Sequence, residues 1–205
     1  MSWIGDLIEL VYPSVYNRAQ IDAIPSAPTP PLPFVFSLFD YHTSAGKKLV
    51  YFIKKYNNTN LSKILAEKMS EYLSEYLSEQ QQFAYFNNPL VVVVPLSKPS
   101  QKKRGFNQNA KIAKELAQQI SGTYSPSLVI KIKETQKQAL LKHRSNRMKN
   151  IHNAFLVKKE NKHVIAYRDV IIVDDLVTTG ATVVEMKRVL EKAGARKVIA
   201  ITVAH

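Results

Sequence analysis

Val170-Ile-Ile-Val-Asp-Asp-Leu-Val-Thr-Thr-Gly-Ala-Thr-Val183 changes character twice within fourteen residues. Val170–Val173 are all β-branched and read as a strand buried on both faces, the kind found in a parallel sheet covered by helices. Two acids, Asp174 and Asp175, close the run. A threonine-rich turn follows, and the spacing predicts a helix over 180–193 with Gly194 as its C-cap. In open α/β sheets, ligands bind at the carboxyl ends of the strands, which is where this turn falls. A helix start leaves backbone N–H groups unpaired at the positive end of the helix dipole, a natural seat for a phosphate. Thr178, Thr179 and Thr182 add hydroxyl donors, and Gly180 is expected to bring the backbone close to the ligand without a Cβ clash. Val177 and Ala181 belong to the same candidate loop. Asp174 and Asp175 would repel a phosphate. They suit the other end of a sugar phosphate, as acceptors for ribose hydroxyls or as direct or indirect ligands of Mg²⁺.

Working outward, Leu90–Val94 between Pro89 and Pro95, and Lys197–Val203, repeat the buried-strand pattern, with a helix predicted over 107–120. Upstream, 34–41 reads as a strand. Ser44 is expected to cap a helix running to Tyr56, and Asn60 a longer one running to Gln80. Strand and helix alternation of this kind implies an α/β fold: a central, mostly parallel sheet flanked by helices and joined by right-handed crossovers. Trp3, Ile4, Leu7, Ile8 and Val11 predict a short amphipathic helix over 2–12. Pro25, Pro28, Pro30, Pro31 and Pro33 then read as a stiff linker. The expected division is therefore an N-terminal appendage, 1–33, and a main domain, 34–205.

Composition narrows the chemistry. The chain has 205 residues, 45% of them hydrophobic, which suits a folded domain. It has no cysteine, so disulfides and thiolate metal sites are excluded and no zinc is expected. The five histidines show no metal-ligand spacing and read as surface or loop residues. The longest apolar run, 89–96, is too short to cross a bilayer. Asp6 and Glu9 interrupt the first apolar stretch, which is unlike a secretory signal. The expected location is the cytosol, with peripheral contact at the inner membrane left open.

The net charge is +13, and the window 98–149 alone carries thirteen Lys and Arg against Glu115 and Glu134. Such a local excess calls for a polyanionic partner. Ser97, Lys98, Lys102, Lys103 and Arg104 follow the strand at 90–94 and precede a helix, which gathers positive charge at a second strand's carboxyl end. Lys142, Arg144, Arg147 and Lys149 are the densest later group and are candidates for a nucleic-acid path, with Phe106 and Phe155 as the nearby aromatics; Phe155 is expected in the core. No Gly-Lys-Ser/Thr and no Gly-x-Gly-x-x-Gly occurs, which disfavours P-loop and dinucleotide-binding sites.

The stretch 170–183 resembles the shared motif of the type I phosphoribosyltransferases: an apolar strand, two acids and a Thr-Gly-x-Thr loop. The resemblance implies that Asp174 and Asp175 hold the ribose hydroxyls of phosphoribosyl pyrophosphate, that the loop holds its 5′-phosphate, and that the basic segment 97–104 faces the pyrophosphate with Mg²⁺. A second stretch, Arg104-Gly-Phe-Asn-Gln108 after Val94-Pro-Leu96, resembles the ComF family of competence-associated proteins. Phe52-Ile-Lys-Lys-Tyr56, Thr135-x-x-Gln138, Arg147-x-x-Asn150 and Ala154-Phe155 agree with it, with one extra residue between Gln138 and Arg147. The cysteine zinc ribbon common in that family is missing. This resemblance implies a part in DNA uptake during natural transformation, single-stranded DNA and a competence helicase as partners, and phosphoribosyl pyrophosphate with Mg²⁺ as ligand. An active phosphoribosyltransferase with an unidentified acceptor and a non-catalytic binding domain that senses the metabolite both remain open.

Overall fold

The computed structural model describes residues 16–30, 32–79, 86, 88–134 and 144–205. The helix expected over 2–12 lies outside them. In chain order the elements are α1 (Arg18–Asp22), β1 (Val35–Phe39), α2 (Ser44–Lys55), α3 (Thr59–Glu79), β2 (Leu90–Val93), α4 (Lys98–Arg104), α5 (Gln108–Gln119), β3 (Thr123–Tyr124), β4 (Val129–Lys131), α6 (Arg144–Ile151), β5 (Phe155–Val157), α7 (Lys162–Ile165), β6 (Asp169–Leu176), α8 (Ala181–Lys192) and β7 (Lys197–Ala204). Five strands form a parallel sheet in the order β1-β7-β6-β2-β3. β4 and β5 pair antiparallel in a small separate sheet. This is the α/β architecture of the type I phosphoribosyltransferases, with helices on both faces.

The β-branched runs are buried because both faces of the sheet are covered. Val91, Val93, Ile171, Val173, Ile199 and Ile201 pack under α2, α3 and α5, while Leu90, Val92, Val170, Ile172, Val198 and Ala200 pack under α8 and the β4–β5 sheet. Each such Val, Ile or Leu side chain removed from water contributes about 1.5–3 kcal/mol before the entropy of ordering is set against it. The alternation along β6 breaks only at its end, where Asp174 and Leu176 keep partial access to solvent.

The proline-rich segment lies against this core. Ile21 and Ile24 are buried in it, and Pro25–Ala27 runs beside β1 with Asp40 N–H on the Pro25 carbonyl (2.8 Å) and Ala27 N–H on Leu38 (3.0 Å). Arg18 fastens α1 to α3 through Glu71 (2.8 Å) and Glu67 (3.2 Å).

Several boundaries differ from the sequence reading. Thr43, not Ser44, caps α2 by accepting from Gly46 N–H at 3.0 Å. Asn58, not Asn60, accepts from Leu61 N–H at 2.9 Å to start α3. Neighbouring Thr, Ser and Asn cap almost equally well, so position in the turn settles the choice. The basic segment 98–104 is a short helix, not an open loop: Ser97 caps it, a proline sits in its first turn, and Gly105 ends it at φ 74°. Phe155 is core, as expected. Among the described residues, no helix is long and apolar enough to cross a membrane.

Candidate functional site

The turn after β6 frames a cleft of about 400 Å³, lined by Tyr41, Lys54, Asp174, Asp175 and residues 176–183. Asp174 and Asp175 thus share a cavity with the threonine turn and the start of α8. Gly180 stands at the N-cap of α8 with no side chain capping it, so the first amides of that helix remain for an anion. Thr178, Thr179 and Thr182 all reach the surface of the turn. Val177 and Ala181 turn their side chains into the core, and Val177 N–H is bound to the Ala204 carbonyl (3.0 Å).

The fold itself calls for glycine at position 180. Its φ is 77°, and a Cβ there would clash with Leu32 Cδ1. The crowding comes from the proline-rich segment, packed on the back of the turn.

The acids are held by residues that the sequence reading left without a role. Asp175 is buried; Lys54 Nζ lies 3.1 Å from its Oδ1, and Gln108 Nε2 donates to its Oδ2 at 2.5 Å. Gln108 Oε1 in turn accepts from the Arg104 guanidinium at 2.8 Å. Asn109 Nδ2 donates to Asp174 Oδ1 (2.9 Å), which also accepts from Asp175 N–H (2.9 Å). Asn107 caps α5 and ties it to the Val94 carbonyl (3.1 Å), so the chain from Arg104 to Asn109 braces both carboxylates from the β2 side. The side-chain oxygen of Asn109, Oδ1, is buried without a hydrogen-bond partner. Burial, and then the charge of Asp175, push the Asp174 carboxyl up to about 7, against smaller opposing effects from Asp175 N–H, Lys54 and Asn109.

The other candidate residues lie on neighbouring elements. Ser97 is occupied as the α4 cap, and Lys98 N–H binds the Glu134 carboxylate (3.2 Å). Lys102 and Lys103 are on α4, and Arg104 is committed to Gln108. Arg144, Arg147 and Lys149 belong to α6, with Lys149 exposed. Lys142 lies outside the described residues.

Residues 58–205 match the family model described as the phosphoribosyl transferase domain. The chain belongs to this family. The chain is similar to Competence protein F of Haemophilus influenzae, 32% identical over 108 residues, which are 53% of this chain and 46% of that protein. The DNA utilization protein YhgH of Escherichia coli strain K12 is 33% identical over 108 residues, 53% of this chain and 45% of that one. The chain therefore spans about half the length of the curated relatives it matches. Among solved structures, a hypoxanthine phosphoribosyltransferase from Staphylococcus aureus has a TM-score of 0.38 at 17% identity, covering 68% of this chain and 62% of its own. The allosteric regulatory enzyme of purine biosynthesis has a TM-score of 0.39 at 20% identity, covering 70% of this chain and 24% of its own.

Proposed function

We propose that the cleft binds phosphoribosyl pyrophosphate with Mg²⁺, and that the chain is a ComF-type protein that handles single-stranded DNA during uptake. One observation carries the first half: two braced carboxylates and an uncapped helix start face a single cavity. A phosphate monoester seats on the amides and hydroxyls of 178–182, while Asp174 and Asp175 accept from the ribose hydroxyls.

The donor set suits a magnesium ion that arrives on the ligand. Among the described residues, no three His, Cys, Asp or Glu gather to hold a metal, and Asp175 already has Lys54 and Gln108. Mg²⁺ commonly takes one or two carboxylates and completes its shell with phosphate oxygens and water. When bound, the ion neutralises charge on the pyrophosphate; the chain orients the sugar and seats its 5′-phosphate.

The second half is supported by the names of the relatives and by the +11 excess over 98–149. Protein melting tests the ligand reading: with phosphoribosyl pyrophosphate and Mg²⁺ at a hundred times the dissociation constant, stability should rise by about 2.7 kcal/mol. Ribose 5-phosphate should give part of that shift, and a pair of Asp→Asn changes at 174 and 175 should give none. An unchanged melting temperature in the native chain would overturn the assignment. The family is described as a transferase domain, which supports a second reading in which the same cleft holds the donor of a transfer reaction. Release of pyrophosphate when a nucleobase is added would show that the C1–oxygen bond is broken in favour of a C1–nitrogen bond; no release across a panel of bases would leave binding alone.

A further inference from the structure

The basic run on α6 has a gap as a path for single-stranded DNA. Unstacked bases need aromatic faces, and Phe155, the first residue of β5, is buried. The described structure offers such a face elsewhere. Tyr51 on α2 is 62% exposed, among the largest exposures of any apolar or aromatic side chain described. Lys47, Lys48 and Lys55 stand at helical spacing around it, all exposed, and Lys55 Nζ lies 5.6 Å from the centre of the Tyr51 ring and 5.2 Å from that of Tyr56.

The placement of these charges is informative. Lys54 and Lys55 end the helix, where a positive charge is favoured by the dipole. Lys47 and Lys48 sit near its start, where a positive charge is disfavoured, and no acid stands in the first turn to offset them. From Tyr41 to Ala66 the chain has five lysines and neither Asp nor Glu. A face kept for solubility mixes signs; this one is uniformly positive around an exposed ring. It also leads into the cleft, because Lys54, three residues on from Tyr51, reaches Asp175.

We propose that single-stranded DNA docks on the outer face of α2, with one base stacked on Tyr51 and successive phosphates on Lys47, Lys48 and Lys55. Duplex DNA hides its base faces, so it would gain only the charge contacts. This inference rests on the DNA-handling reading above and assigns it a surface.

The test is fluorescence anisotropy of a labelled oligo-dT with the full chain and with Tyr51→Ala, Tyr51→Phe and the Lys47→Ala, Lys48→Ala pair. Tyr51→Ala should weaken binding between about fivefold and about 150-fold, the worth of one stacked base, and Tyr51→Phe should retain it. Duplex binding should not distinguish Tyr51→Ala from the parent. Losing two phosphate contacts should reduce the slope of log K against log salt by about 1.4. If the parent binds the strand and Tyr51→Ala stays within about twofold of it, the surface assignment fails while DNA binding stands. If the parent does not bind the strand, both the surface and the DNA half of the functional reading fail, and the phosphosugar half is untouched. Circular dichroism should match in all four proteins, since Tyr51 faces solvent.

Discussion

Gln108 donates its side-chain amide to Oδ2 of Asp175 across 67 positions of sequence. With Lys54 on the other oxygen, the carboxylate is fixed from α5 and α2 at once, and Arg104 orients the Gln108 amide by binding its carbonyl. The Arg-Gly-Phe-Asn-Gln stretch and the residue after it therefore brace the two acids through their polar side chains.

Replacing Gln108 with alanine should leave Asp175 short of a buried donor and Arg104 short of its acceptor. A loss of about 1–3 kcal/mol in unfolding free energy is expected from urea titration. Gln108→Glu should cost more, because it sets another carboxylate against Asp175. Equal stability in all three proteins would mean that the bond contributes nothing to holding the acid.

Asp174 gives a pH dependence with a defined sign. Its carboxyl is pushed up to about 7 by burial and by Asp175, above the unfolded value of about 3.9. The folded state therefore holds the proton more firmly, and the group's contribution to stability falls as pH rises from about 4 to about 7. Asparagine does not titrate. Urea midpoints at about pH 5 and about pH 8 should show Asp174→Asn gaining on the parent at the higher pH. A constant difference would contradict the raised value. Ligand affinity should move the other way, since an ionised Asp174 is the better acceptor for a sugar hydroxyl.

Gly180→Ala meets two obstacles, a left-handed backbone and the Leu32 side chain. The backbone alone costs roughly 1–3 kcal/mol. Adding Leu32→Ala should recover the part due to the clash and none of the part due to φ. Thermal melting of the single and double variants separates the two. If the double variant recovers nothing, Leu32 is not what crowds the glycine.

What could be read in the sequence followed from period and punctuation. The β-branched runs at 90–94, 170–173 and 197–203 gave the buried parallel strands, and the acids with the threonine turn marked the cleft. Lys54 was illegible as a site residue, because a lysine in the last turn of a helix is accounted for by the dipole alone. Gln108 and Asn109 sit in the first turn of a helix, where polar residues are ordinary, and only the pairing of β2 with β6 brings them to the acids. The contact of Leu32 with Gly180 depends on how the proline segment folds back, which local pattern does not encode. Helix α4 is different: Ser97, Pro99 and Gly105 are start and stop signals already present in the sequence, masked by the density of charge between them.

The central claim is that Asp174 and Asp175, with the turn at 178–182, grip a phosphorylated ribose. Titration calorimetry of phosphoribosyl pyrophosphate with Mg²⁺ into the full chain, beside the Asp174→Asn, Asp175→Asn variant, tests it directly. Saturable binding at one site per chain, lost in the variant while its circular dichroism is unchanged, is the predicted result. Equal affinity in both proteins would contradict the account.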